Sequence, residues 1–223
     1  YYEGNFDFKN GLLGWWKLDD STYLDGAKIM DSSGNNNIGT IEAGSATDGL
    51  GQALGYDGTP NGSFKFDGSN DYIIINSLNT GSGGLDITNS MTLSCWVKSN
   101  TSTWNSNGSI ISKRNSFLFY GVVNTKELRF YIHDSTFYEA RYTLTDIQNW
   151  NLFIGTYDGS TLKLYVNGVL VTTHSHTGSI DNDAGGDLTI GRDDGQSAYF
   201  NGSISDVRIY NTALTAAQVK TIY

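Results

Sequence analysis

Four glutamates, Glu3, Glu42, Glu127 and Glu139, and an aspartate-rich stretch holding Asp181, Asp183, Asp187, Asp193 and Asp194 are the groups here that could cleave a glycosidic bond. Such cleavage needs two carboxylates flanking the bond, one to attack and one to donate a proton. The glutamates lie far apart, and none sits on a strand of alternating acidic residues. The aspartates fall in glycine-rich loops with little apolar cover to raise a pKa, which reads as solvated turns. No Gly-x-Ser-x-Gly elbow occurs, and the lone Cys95 lies in an apolar strand, the setting of a buried thiol rather than a nucleophile. His174 and His176 alternate beside a turn with no cysteine or third histidine nearby, too few ligands for zinc. These residues predict a chain without an active site.

Two other constellations point to binding. The run Asp31-Ser32-Ser33-Gly34-Asn35-Asn36-Asn37 crowds carboxylate, hydroxyl, amide and backbone oxygens into one turn, a donor set suited to calcium. Pairing of the first strand with the last would bring Asp19 close to Asp206. Asp19, Asp31, Asn35 and Asp206 are therefore the candidate calcium ligands; the competing reading is that Asp31 and Asn35 make side-chain turn bonds and that Asp19 pairs with Arg208. Sugar binding calls for an aromatic face flanked by hydrogen-bonding groups. Trp104, alone in the polar loop 99–109, is the first such platform, unless it folds back as a plug over the sandwich edge. The second is the alternating run Arg129-Phe130-Tyr131-Ile132-His133. If Phe130 and Ile132 enter the core, Arg129, Tyr131 and His133 face outward, joined by Tyr138, Arg141 and Tyr199 of the loop Gln196-Ser197-Ala198-Tyr199-Phe200. A merely solvated sheet face is the alternative. Trp16, Trp96 and Trp150 lie in or beside patterned strands and are expected in the core.

The elements that must position these residues are strands. Period-2 alternation recurs in short runs punctuated by Gly, Asn and Asp, and glutamate and other helix formers are scarce. About fifteen such strands cannot fit one open twisted sheet, so two stacked sheets follow. The clearest unit runs from Trp150 to Thr173, where Asp158-Gly159 and Asn167-Gly168 separate three alternating runs; Asn-Gly calls for a type I′ hairpin turn. Within it Leu162, Leu164 and Val166 share the core face, and Lys163 and Tyr165 share the other. Only residues 215–223 read as a helix, with Thr215 and Gln218 as a capping box and Leu214 stapled to Val219. Residues 1–11 are expected to be a linker or N-terminal extension and 12–223 one domain.

Several segments in this order carry a resemblance: Gly14-Trp15-Trp16-Lys17-Leu18-Asp19-Asp20, Asp31 to Asn37 leading to Gly39-Thr40, Gly51-Gln52-Ala53-Leu54, Phe66-Asp67-Gly68-Ser69-Asn70-Asp71-Tyr72-Ile73, Met91 to Lys98, the unit from Trp150, and Phe200 to Asn211 with Ala213-Leu214-Thr215 after it. Together they resemble the laminin G-like jelly-roll family of the concanavalin A-like lectin/glucanase superfamily, from Gly14 onward. The resemblance implies an all-β fold, a two-sheet antiparallel jelly-roll β-sandwich with one short C-terminal helix. It also implies frequent structural calcium, held partly by acidic positions near the termini, and a role in binding carbohydrate or a surface protein as part of a larger chain or assembly.

The net charge of −9, from 14 basic and 23 acidic residues, leaves no basic patch for nucleic acid. No apolar run is long enough to insert into a membrane. A start at Tyr1 reads as a piece of something longer, and a single cysteine leaves the redox compartment open. Asn61, Asn100, Asn107 and Asn201 each open a glycosylation sequon, a weak signal in so Asn- and Ser-rich a chain. The expectation is a non-catalytic carbohydrate-binding module of an extracellular, cell-surface or virion protein. The alternatives are an adhesive or architectural module that contacts protein in a surface layer, fibre or virion and, third, a glycan-active enzyme domain.

Overall fold

The computed structural model describes residues 7–44, 50–76, 84–105, 108–183, 186–193 and 198–223. Residues 1–6 of the expected linker, the sequon residue Asn107, Asp194, Gln196 and Ser197 lie outside them.

Two antiparallel sheets carry the fold. The first orders its strands β14 (Val169–Ser175), β13 (Thr161–Val166), β12 (Asn151–Tyr157), β7 (Met91–Ser99), β18 (Asn201–Tyr210), β5 (Ser63–Asp67) and β4 (Gly51–Ala53), with β1 (Leu12–Trp16) also on β18. The second runs β11 (Thr136–Thr143), β10 (Glu127–Asp134), β9 (Phe117–Gly121), β8 (Ser109–Lys113), β15 (Leu188–Ile190), β6 (Tyr72–Ile75), β3 (Gly39–Glu42) and β2 (Lys28–Ile29). A ribbon of β16 (Arg192–Asp193) and β17 (Ala198–Tyr199) stands apart. This is the expected jelly-roll sandwich.

Alternation along the strands decides what enters the space between the sheets. Phe130 and Ile132 go in from β10, Phe117 and Phe119 from β9, Phe153 from β12, and Leu162, Leu164 and Val166 from β13, all into one cluster with Trp16, Phe64 and Phe66. The turn Asn167-Gly168 has positive φ at both residues, 50° and 75°, as a type I′ hairpin needs. Where a ring must pass close to the opposing backbone, the chain supplies glycine: a Cβ at Gly155 would run into the Phe130 ring. Cys95 is fully enclosed, and burial first, then the charge of Asp206, pushes its thiol well up, so it stays protonated and inert.

The outer face of the first sheet is also covered. Trp96, Leu152, Ile154, Tyr165 and Tyr210 form a second cluster closed by Leu214 and Val219, the latter from α1 (Ala216–Ile222). Thr215 caps that helix, with Gln218 N donating to Thr215 Oγ1 at 3.3 Å and Thr215 N donating to Gln218 Oε1 at 2.8 Å, the expected capping box. Trp96 and Tyr165 are thus buried on the side facing away from the inter-sheet core.

Strand β18 splits its outer edge. Its first half pairs with β5 and its second with β1, with Trp16 opposite Val207. Between the halves the register on β7 shifts, and Asp206 takes a positive φ of 52°.

Candidate carbohydrate-binding site

Strand β10 turns Arg129, Tyr131 and His133 away from the core, as alternation requires, and the neighbouring strands complete the face. Leu118 and Tyr120 of β9 lie opposite Tyr131 and Arg129, and Phe137, Glu139 and Arg141 of β11 lie opposite His133, Tyr131 and Arg129. Leu118, Tyr120, Arg129, Tyr131, Phe137 and Glu139, with Arg114, Val122 and Asp193, line a pocket of about 300 Å³; His133 and Arg141, expected at the site, share the face but not the pocket wall.

Polar contacts hold its walls. Arg114 Nη1 donates to both oxygens of Asp193 at 2.6 Å. Arg129 Nε donates to Glu127 Oε1 at 2.6 Å, and its Nη1 donates to the Tyr120 hydroxyl at 3.0 Å and to Glu139 Oε2 at 3.2 Å. Arg141 Nη2 meets the same Glu139 oxygen at 2.6 Å, and the Tyr120 hydroxyl donates to Glu139 Oε1 at 3.1 Å. Tyr131 donates to Arg114 O at 2.9 Å. Burial first and Glu139 second push the Tyr120 phenol up to about 12, and burial raises Tyr131 further, so both remain O–H donors at neutral pH.

Phe137 supplies the exposed aromatic surface at 52% exposure. It stands edge-on to Tyr131 at 4.9 Å and to His133 at 4.7 Å between ring centroids. His133 is fixed in turn, its Nδ1 lying 2.7 Å from Asp181 Oδ2, an oxygen that also accepts from Ser135 N at 2.9 Å. The Ser135 N–H and then His133 hold the Asp181 carboxyl below its ordinary value. Asp181 therefore clamps the β10–β11 turn and is no freely solvated turn residue.

Other candidates lie elsewhere. Trp104 is 2% exposed, packed on Gly121 and tilted against Phe200 at 6.3 Å. Trp104 N donates to Thr125 O at 2.8 Å and Trp104 O accepts from Asn124 N at 3.0 Å, tying its loop to the β9–β10 turn. The indole plugs the sandwich edge and offers no stacking face to a ligand. Tyr138 pairs with Ile132, so it points to the core side, where its ring stacks on His176 at 3.5 Å. Tyr199 sits on the small ribbon opposite Arg192, its ring 6.3 Å from Tyr72, and is not part of the pocket wall. Asp193, expected in a solvated turn, is 7% exposed and ion-paired.

Sequence reasoning missed Arg114, Leu118, Tyr120, Val122, Phe137 and Glu139. Phe137 and Glu139 lie in the first half of β11, whose edge position lets it dispense with a clean alternation. The outward tyrosine on β9 was legible, because Phe117 and Phe119 set the inward phase.

The four candidate calcium ligands do not fit a cation as they stand. Asp31 Oδ1 accepts from Trp15 N at 3.0 Å and Ser33 N at 2.8 Å, and Oδ2 from Ser33 Oγ at 2.8 Å and Asn37 N at 2.9 Å. Asn35 spends its amide hydrogens on Leu12 O at 2.9 Å and Leu13 O at 3.0 Å. Asp206 accepts from Trp15 Nε1 at 2.6 Å and pairs with Arg208 at 2.8 Å. Asp19 borders the same recess as Asp206, but among the described residues no three acidic, histidine or cysteine side chains form a metal-holding group. The turn acts as a hydrogen-bonded brace for β1.

The sequence model described as the Concanavalin A-like lectin/glucanases superfamily matches residues 66–220. No curated protein matches the chain significantly. Among solved structures, domain 4 of AbnA, a GH43 extracellular arabinanase from Geobacillus stearothermophilus, in complex with arabinotriose, superposes with a TM-score of 0.69 at 21% identity over 95% of this chain and 97% of that one. The binding domain of botulinum neurotoxin DC in complex with SialylT superposes with a TM-score of 0.71 at 16% identity over 97% of this chain. The chain spans about half of that binding domain, 52% of its length.

Proposed function

Since the chain belongs to the laminin G-like branch of the concanavalin A-like lectin/glucanase superfamily, we propose that it is a non-catalytic carbohydrate-binding module of a larger extracellular or surface protein. The observation that carries this reading is the pocket on the second sheet. It combines an exposed ring, Phe137, with the fixed hydrogen-bonding network of Tyr120, Arg129, Glu139, Arg114 and Asp193. A ring takes the C–H face of a sugar while fixed donors and acceptors read its hydroxyls. The volume of about 300 Å³ suits one sugar unit with its water. Two similar folds, an arabinanase domain and a toxin binding domain, carry arabinotriose and SialylT in their complexes, which supports a sugar ligand and a life outside the cell.

The carboxylates support binding over hydrolysis. Glu139 and Asp193 are each ion-paired with guanidinium groups that hold them as part of the pocket wall, an arrangement suited to fixing a ligand's hydroxyls. Among the described residues no helix is long and apolar enough to cross a membrane.

A glycan array probed with the wild-type chain and with Phe137→Ala tests the proposal. We expect a defined set of glycans to bind, with at least about a tenfold loss in the variant. A wild-type chain that binds no glycan, or a variant that binds as well as wild type, would sink it; ordered self-assembly without glycan binding would favour the adhesive alternative.

A further inference from the structure

The pocket does not end at Phe137. Past that ring lies a wider recess of about 470 Å³, bordered by Phe137, Tyr138, Glu139, Arg141, Thr173 and His174. Phe137 and Glu139 border both spaces. The recess follows the seam where β11, last strand of one sheet, packs against β14, last strand of the other.

Charge narrows the class of occupant. Arg114, Arg129 and Arg141 meet Asp193, Glu127 and Glu139 in ion pairs of 2.6 to 3.2 Å, three cations against three anions. An anionic ligand would meet three guanidinium groups whose charge three carboxylates already balance, so its own charge would find no net compensation in the site. Hydroxyl groups, both donors and acceptors, add to such pairs without breaking them. Arg141 is 57% exposed in its side chain and, among the described residues, pairs only through Nη2, so its other N–H groups are left to a ligand. Thr173 and His174, both exposed, add a hydroxyl and an imidazole on the far wall.

We propose that the two recesses are consecutive subsites of one groove, and that the ligand is an uncharged oligosaccharide lying across Phe137 from the Tyr120–Tyr131 pocket to the Thr173–His174 seam. This rests on the reading of the pocket as a sugar site and adds length and charge to it.

The test is a ladder of one to six units in each of the arabinan, xylan, β-glucan and mannan series, with sialylated and uronate chains as competitors. It is run on wild type and on the double variant Thr173→Ala/His174→Ala, whose exposed positions leave the fold intact by circular dichroism. Wild-type affinity should rise about tenfold or more from one to three units and then level off. The double variant should lose that rise while keeping its affinity for the shortest chain that binds. Affinity independent of length, a double variant indistinguishable from wild type, or anionic chains displacing neutral ones would overturn the groove while leaving a one-unit sugar pocket standing. Failure of the wild type to bind any chain removes the sugar reading itself, and the groove with it.

Discussion

The two outward faces of the sandwich come from the same alternating pattern and meet opposite fates. On the first sheet Trp96, Leu152, Ile154 and Tyr165 turn outward and are roofed by α1. On the second, Leu118, Tyr120, Tyr131 and Phe137 turn outward and line a pocket, Leu118 and Tyr131 buried in it, Tyr120 half-buried and Phe137 exposed, interleaved with paired arginines and carboxylates. The difference lies in the company of the aromatics. Where outward residues are almost all apolar, a helix must cover them; where charged pairs interrupt them, the face can stand in water and recognise a ligand.

Replacing buried against exposed aromatics sharpens this contrast most. Trp104→Ala empties a filled site at the sandwich edge and should cost about 3–5 kcal/mol in chemical denaturation, whereas Phe137→Ala should stay within about 0.5 kcal/mol of wild type. Equal losses would erase the distinction between plug and platform. The roofed face is tested by removing the cap of its helix: Thr215→Ala should cost about 1 kcal/mol, with glycan binding unchanged. Reduced sugar binding in that variant would show that the two faces communicate.

Acid titration probes three of the turns. Backbone N–H donors hold Asp57 and Asp146 below the ordinary carboxylate value of 3.8, and Ser135 N–H with His133 does the same for Asp181. A carboxyl depressed on folding adds stability that is complete above the unfolded pKa and drains away as pH falls through the folded one. Melting temperature should therefore hold from neutral pH down to about 5 and decline below about 4. Asp181→Asn should flatten part of that decline, and an unaltered acid limb in the variant would remove the clamp from the account. The smallest effect expected is that of a chelator. With Asp31 occupied by four donors, melting with and without EDTA should coincide, and a lower melting temperature in EDTA would restore calcium to the Asp31 turn.

Much of the fold was legible in the chain. Asn167-Gly168 dictated its hairpin, Thr215 and Gln218 their capping box, and Phe130 and Ile132 the inward phase that turned Arg129, Tyr131 and His133 outward. The site was legible in that strand and in the phase of β9, where Phe117 and Phe119 turn Tyr120 outward. Its other walls come from Arg114 in a turn, Asp193 on a separate ribbon and Phe137 on an edge strand, brought together by pairings between segments distant in sequence.

A side chain's face is a local property with a period of two, and the order of residues fixed it here. What lies against that face is not local. Trp104 in its polar loop looked like a platform until Gly121, across the fold, supplied the flat backbone on which its ring rests. The tertiary structure alone decided which outward aromatics were roofed, which were drawn into the edge, and which were left open, because each outcome depends on a partner surface that the neighbouring residues do not contain.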